Sequence, residues 1–405
     1  MSDMLLKMGQ NIIFAGNVDR NANEPNLVIN VPATEKTNAM LLYKSEGSFG
    51  ANMGVNSHGV VIGVANAFIR FFGFRSKKIT GQSLLRLALE NTNNAKDAAK
   101  YIASVVAGQE KSGNMGFSFL ISDREEAYQL EVAGKFYAIK KIEKQMNISN
   151  RLRMRDDYTE SNMPEGKNNG FFMKLFFAKE DDAGRSFRLR FADPFMTYLS
   201  GSKTRSDIVN DALTFISVEN ELSDILRILK SHNDRSERKK NTRGSISSVC
   251  MHGKNETTGS MVVITRKSKV STIWVTGSST PCLSIYKPTF FGIVEDPVFE
   301  NEEDAFVFWR DRELINRAVF EGKIDEESFK NEISKIQESF IGEERKLFER
   351  NPSQDELKSF VENCARVEMV FYNKYSEIKR QMLNDELKLS RFWKYKTKKL
   401  KKSVM

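Results

Sequence analysis

Short apolar runs bounded by turn residues fill the first half of the chain. QNIIFAGNVD, AMLLYKS, HGVVIGVANAF, MGFSFLISD, EEAYQLEVAG and KFYAIKKI are rich in Ile, Val, Phe and Tyr and punctuated by Gly, Asn, Asp or Ser. Each predicts a strand of an antiparallel sheet. Among them, ITGQSLLRLALENTNNAKDAAKYIASVVAG repeats apolar residues at three and four spacing, which predicts two amphipathic helices broken at NTNN. Leu84, Leu85, Leu87 and Leu89 contribute to the packing side of the first. SDIVNDALTFIS and SDILRILKSHN are helical by the same period, with Ser206 and Ser223 as N-caps. SSVCMHG, GSMVVITRK and VSTIWVTGS return to strand character. The mixture predicts two sheets packed face to face with helices outside.

From Asn301 the pattern changes. The chain becomes dense in Glu, Lys and Arg with aromatics at helical spacing, predicting three or four helices interrupted at Asn351-Pro352. They would cover the sandwich or present a surface to a protein partner, as residues 301–405 together would. The expected divisions are a sandwich domain over 1–300, a charged helical region over 301–390 and a basic tail over 391–405.

Composition narrows the class. With 40% hydrophobic and 28% charged residues, and no apolar run near the roughly 18 residues of a membrane span, the chain reads as globular and not transmembrane. MSDMLLKMGQ lacks the regions of a signal peptide, so a cytoplasmic location is expected. The net charge is +9, but RFWKYKTKKLKK alone holds seven Lys or Arg and no acid, leaving the rest near neutral. That basicity is expected to be a solvated, mobile end rather than a specific nucleic-acid surface.

Cys250, Cys282 and Cys364 are odd in number and lack CxxC spacing, while His58, His232 and His252 lie in no metal-ligand spacing. Neither a disulfide framework, a metal site nor a cofactor is expected. No GxSxG or GxxxxGKS run is present. Amide hydrolysis without these parts calls for an N-terminal nucleophile, whose own α-amine, with a pKa of about 7.7 to 8, serves as base. Such a site needs an acid beside the ammonium and donors for the oxyanion. NVDR, Asn17 to Arg20, offers the acid, and no cysteine lies upstream. Ser2, after removal of Met1, is the candidate nucleophile; the other reading is that the chemistry has been lost.

In its ordered motifs the chain resembles the secernins and their bacterial dipeptidase relatives, which are N-terminal nucleophile (Ntn) hydrolases. FAGNVDR resembles FGKNSDR, NMGVNSHGVVIGVANA resembles EMGANEHGVVIGNEA, and GQSLLRLALE resembles G-x-D-L-x-R-L-A-L-E. EEAYQLEVAGKFYAIKKI followed by NISNRLRM resembles EAWVLETAGKYWA and its ISNxL. The likeness runs over roughly residues 10 to 320. It implies an α+β fold, the Ntn-hydrolase αββα four-layer sandwich of two antiparallel sheets, here with a C-terminal helical extension. It implies that Asp19 holds the terminal amine, that Arg20 pairs with a carboxylate, and that Asn56 and Asn150 form the oxyanion pocket, with Ser57 and His58 as weaker pocket positions. Gly16 stands where relatives have Lys, Ser57 where they have Glu, and Val132 where they have Thr.

The implied activity is hydrolysis of a C–N amide or dipeptide bond in a peptide or small amide, through an acyl-enzyme on Ser2. The alternative is an inactive binding or scaffold protein, with a role in exocytosis or trafficking. Cys250 and His252 would share one strand face, which suits a thiolate–imidazole pair as well as a buried thiol. His58 equally lines the site or satisfies a turn. Oligomeric state is not specified by the sequence.

Overall fold

Alternation along the first hairpin sets the layers. In the strands Ser2–Met8 (β1) and Ile12–Asn21 (β2), Met4, Leu6, Phe14 and Val18 enter one core, while Leu5, Ile13 and Ala15 enter another. One strand face therefore meets a second sheet and the other meets helices. The computed structural model describes residues 1–70, 79–109, 116–164, 186–217, 219–233, 246–267 and 270–402.

Sheet two contains Asn26–Val31 (β3), Met40–Ser45 (β4), Met53–Asn56 (β5), Val61–Asn66 (β6), Gly116–Ser122 (β7), Ala127–Ala133 (β8), Phe136–Lys141 (β9) and Glu160–Ser161 (β11). Gln145–Ile148 (β10), Asn255–Thr265 (β12), Thr272–Val275 (β13) and Lys287–Thr289 (β14) join the hairpin in sheet one. The strand orders are β10-β1-β2-β12-β13-β14 and β11-β9-β8-β7-β6-β5-β4-β3. Every pairing between these strands is antiparallel.

Phe14, Met4, Met261 and Val263 from sheet one meet Leu41, Tyr43, Met53 and Leu120 from sheet two. Helices Gly81–Asn91 (α1) and Ala95–Ala107 (α2) cover the outer face of sheet two through Leu84, Leu85, Leu89 and Ile102. They break at Thr92–Asn94, within the predicted NTNN.

The short helices Phe187–Phe191 (α3) and Pro194–Leu199 (α4) lead into Ser202–Leu213 (α5) and Glu221–Leu229 (α6). The expected N-caps Ser206 and Ser223 both lie inside helices. Gly201 and Asn220 stand at the cap positions instead, and the Ser206 hydroxyl turns inward to Asn147 Oδ1 at 2.7 Å.

After residue 301 come Glu302–Phe320 (α7), Glu326–Glu349 (α8), Gln354–Asn373 (α9), Ser376–Leu383 (α10) and Arg391–Lys402 (α11). Ile315, Val319, Phe329, Phe340 and Phe371 of this group share a core with Ile13, Val262 and Trp274 of sheet one. The order of layers is helix, sheet, sheet, helix. Arg391–Lys402, expected as a solvated end, is instead a helix whose Trp393 is fully buried, its ring stacked 5.7 Å from Phe320. The aromatic within that basic run docks it. Among the described residues, no helix is long and apolar enough to cross a membrane.

Candidate active site

The antiparallel register carries the chain start into the structure. Ser2 pairs with Val18, and the Met1 backbone adds one more rung: its ammonium donates to Asp19 O at 2.6 Å and its carbonyl accepts from Asp19 N at 2.8 Å. By strand parity Ser2 shares the inward face with Met4 and Leu6. Its backbone N–H donates to Asn150 Oδ1 at 3.1 Å, and its hydroxyl donates to Met1 O at 2.5 Å.

Asp19 is fully buried. One carboxylate oxygen accepts from the Thr257 hydroxyl at 2.7 Å; the other has no hydrogen-bond partner. Burial pushes its carboxyl up to about 6, against the pull of the chain-start ammonium. The same burial lowers that ammonium below its ordinary value, with Asp19 opposing.

Arg20 points inward and donates from Nη2 to Asn52 Oδ1 at 2.6 Å. Asn52 in turn donates to Asn26 Oδ1 at 2.8 Å, and Asn26 to the Thr258 hydroxyl at 2.7 Å. The buried Nε of Arg20 has no hydrogen-bond partner. The expected carboxylate pairing is thus taken by an amide, with one donor left over.

Asn150 joins the pieces. Its Oδ1 also accepts from Arg205 Nη2 at 3.0 Å, and its Nδ2 donates to the Asn66 carbonyl at 2.8 Å. Arg205, fully buried on α5, donates from Nε to Asp3 Oδ2 at 2.6 Å. Ser2, Asp19, Arg20 and Asn150 are therefore brought to one end of the sandwich. Asp3, Asn52, Asn66, Arg205 and Thr257 gather there without having been singled out from the sequence. Asp3 Oδ1, Asp19 Oδ2 and Arg20 Nε are buried there without hydrogen-bond partners, the two carboxylates on the helix side of sheet one and the guanidinium on the side facing sheet two by strand parity.

Asn56 is not part of it. Its Nδ2 donates to the carbonyls of Leu89 and Thr92 at 2.9 and 2.7 Å, and its Oδ1 accepts from the backbones of His58 and Val60. It ties the end of α1 to β5. Asn56 and Ser57 line a cavity of about 400 Å³ with Val270 and Ser271, beyond the far end of β12. Thr257 and Thr265, near the two ends of that strand, lie about 25 Å apart at the usual rise per residue. Asn56, Ser57 and the exposed His58 are thus corrected from oxyanion and pocket roles to the opposite end of the sandwich.

The departures from the secernin pattern also separate. Val132 packs with the helices over sheet two, away from Asp19. At Gly16 an added Cβ would lie 2.8 Å from Met4 Cγ and from Met53 Sδ, so the two methionines occupy the space of the missing side chain.

Beyond the site, behind sheet one, His232, Cys250, His252 and Cys282 converge, their ligand atoms all within 4.8 Å of one another. The spacing of these residues along the chain, from which no metal site is expected, does not reveal that they meet.

Layers and strand order define the class: an α+β fold of αββα type, two antiparallel sheets packed face to face between helices. Residues 8–154 match the family model "Acyl-coenzyme A:6-aminopenicillanic acid acyl-transferase". Three solved structures are similar. Penicillin V acylase from Agrobacterium tumefaciens is 10% identical, with 73% of this chain and 87% of that one covered and a TM-score of 0.39. The N-acylethanolamine-hydrolyzing acid amidase ortholog of Caenorhabditis elegans is 8% identical, with 65% and 92% covered and a TM-score of 0.36. A mutant form of conjugated bile acid hydrolase from Clostridium perfringens is 13% identical, with 67% and 88% covered and a TM-score of 0.33. The fold assignment rests on the layers above, not on these likenesses.

Proposed function

We propose that this chain is a secernin-like, cytoplasmic amide hydrolase that uses Ser2 as an N-terminal nucleophile once Met1 is removed, acting on dipeptides or small amides. The observation that carries the reading is the hold of Asn150 Oδ1 on the Ser2 nitrogen, beside a buried Asp19. Excision turns that nitrogen into a free α-amine already aimed by Asn150 and by the strand pairing with Val18. It also frees the Asp19 N–H, which Met1 O now occupies.

In the proposed reaction the amine takes the Ser2 hydroxyl proton as Oγ adds to the substrate carbonyl carbon. The freed Asp19 N–H and Asn150 Nδ2 are the donors for the oxyanion, and Asp19 steadies the ammonium. Collapse breaks the C–N bond, and the amine leaves with the proton from Ser2 nitrogen. Water, deprotonated by the regenerated α-amine, then hydrolyses the acyl-enzyme. Arg20, with its unused Nε, is assigned to a carbonyl or carboxylate of the substrate.

N-terminal peptide mass spectrometry on protein from its own cells tests the reading first. A free Ser2 amine, with turnover of dipeptides or simple amides lost in Ser2→Ala, supports it. The second reading, a non-catalytic binding protein, is favoured by the two hydrogen bonds that Met1 makes to Asp19. Retained Met1 or an acetylated Ser2 would select it, because neither leaves the base.

A further inference from the structure

Four side chains from three separate segments meet behind sheet one. His232 follows α6, Cys250 and His252 precede β12, and Cys282 lies in the 3₁₀ turn Pro281–Leu283. His252 Nε2 is 3.2 Å from His232 Nε2, 3.4 Å from Cys250 Sγ and 3.3 Å from Cys282 Sγ. A tetrahedral zinc ion with bonds of about 2.0–2.1 Å to nitrogen and 2.3 Å to sulfur has edges of roughly 3.3 Å between nitrogens and 3.6 Å between nitrogen and sulfur. The observed separations fall close to those edges.

The geometry points to a structural zinc site of Cys2His2 composition formed by His232, Cys250, His252 and Cys282. Two thiolates and two neutral imidazoles around a divalent ion make a neutral unit, which suits its surroundings. Cys250 and Cys282 belong to the same core as Ile228, Leu229, Val249 and Phe320, and His252 is only 9% exposed. Mixed thiolate and imidazole donors favour zinc over calcium or magnesium. Binding releases the two thiol protons to solvent and leaves all four ligands from the protein, so the site is closed and not catalytic.

The consequence reaches the candidate active site. Met251, between two ligands, donates its N–H to the Thr257 hydroxyl at 2.9 Å, and that hydroxyl donates to Asp19. Thr280, two residues before Cys282, donates its N–H to the Thr257 carbonyl at 2.6 Å. A metal pinning Cys250, His252 and Cys282 thereby fixes Thr257, a positioning residue for Asp19. The inference stands whether or not the chain hydrolyses amides.

The test is metal analysis of the full-length chain purified without chelator, together with the absorption spectrum after exchange into cobalt. About one zinc per chain, and a cobalt spectrum with thiolate charge transfer and intense tetrahedral bands, is the expected result. Cys250→Ser and His252→Asn each lower zinc content at least about tenfold, whereas Cys364→Ala, outside the cluster, retains it. Stripping zinc from the wild-type chain lowers its melting temperature, a readout independent of variant folding. Failure to take up stoichiometric zinc or cobalt, a Cys250–Cys282 disulfide in peptide maps, or a cobalt spectrum unchanged in Cys250→Ser overturns the proposal.

Discussion

At the residue scale, Ser2 and Asp19 are separable by experiment. Ser2→Ala removes the proposed nucleophile and lowers kcat/KM at least about a thousandfold, while Ser2→Cys keeps turnover because a thiol serves the same role. Burst kinetics and acyl-enzyme mass spectrometry check this. Asp19→Asn also suppresses turnover, yet its stability changes the other way. An acid raised by burial from about 3.9 in the unfolded chain binds more protons when folded, so its presence lowers stability as pH rises from about 4 to about 6. Above that window the penalty is constant. Asp19→Asn is therefore expected to melt higher than wild type at pH 7 and no higher below pH ~4, as read by thermal unfolding across pH. A variant that loses activity while gaining stability distinguishes a functional carboxylate from a structural one.

At the element scale, strand period made the layers legible, and strand register hid part of the site. Asn52 and Asn56 lie four residues apart in one run, on the same face by parity. The sequence singled out Asn56, yet Asn52 meets Arg20 and Asn56 meets the end of α1. Period two says which face a residue takes, not which end of the sandwich it reaches. Asp19, Arg20 and Asn150, which the fold brings to one end of the sandwich, stood out in the sequence because they lie in contiguous motifs. Arg205 was not: its partner Asp3 is 202 residues away, and the only local signal is an arginine on the packed stripe Ser202, Arg205, Ser206, Val209. The meeting of His232, Cys250, His252 and Cys282 was missed for a similar reason, since it comes from three chain segments converging rather than from one short motif. Asn56→Ala follows from this account. It removes one of the two amides that donate to the carbonyls of Leu89 and Thr92, which keep Asn38 Nδ2, and takes Asn56 Oδ1 from the His58 and Val60 N–H groups, so a loss of about 1–3 kcal/mol is expected by chemical denaturation. kcat/KM stays at the wild-type value in the folded protein; a thousandfold loss instead would return Asn56 to the oxyanion pocket.

At the scale of the whole molecule, the helices after residue 301 are part of the outer layer rather than an appendage. Glu368 on α9 is buried between Arg312 of α7, at 2.7 Å, and Lys287 of β14, at 2.9 Å. Burial alone would raise its carboxyl, but Arg312 and Lys287 override that and hold it at about 2. The sign is opposite to that of Asp19. A depressed acid adds stability that is fully present above its unfolded value of about 4.3 and is lost as pH falls toward 2. Glu368→Ala leaves two buried cations without their shared partner, and the expected loss at pH 7 is about 3–5 kcal/mol. The difference from wild type narrows between pH ~4 and ~2, where the wild-type carboxylate is itself protonated. The Arg312 guanidinium lies 3.5 Å over the Phe308 ring and Lys287 donates to the Thr276 carbonyl, so the triad joins both helices to sheet one. Unfolding of Glu368→Ala followed by circular dichroism and tryptophan fluorescence together is therefore expected to remain one transition at lower denaturant, as one cooperative body requires. Early melting of the helices with Trp274 still buried in sheet one would instead make residues 301–402 a separable domain.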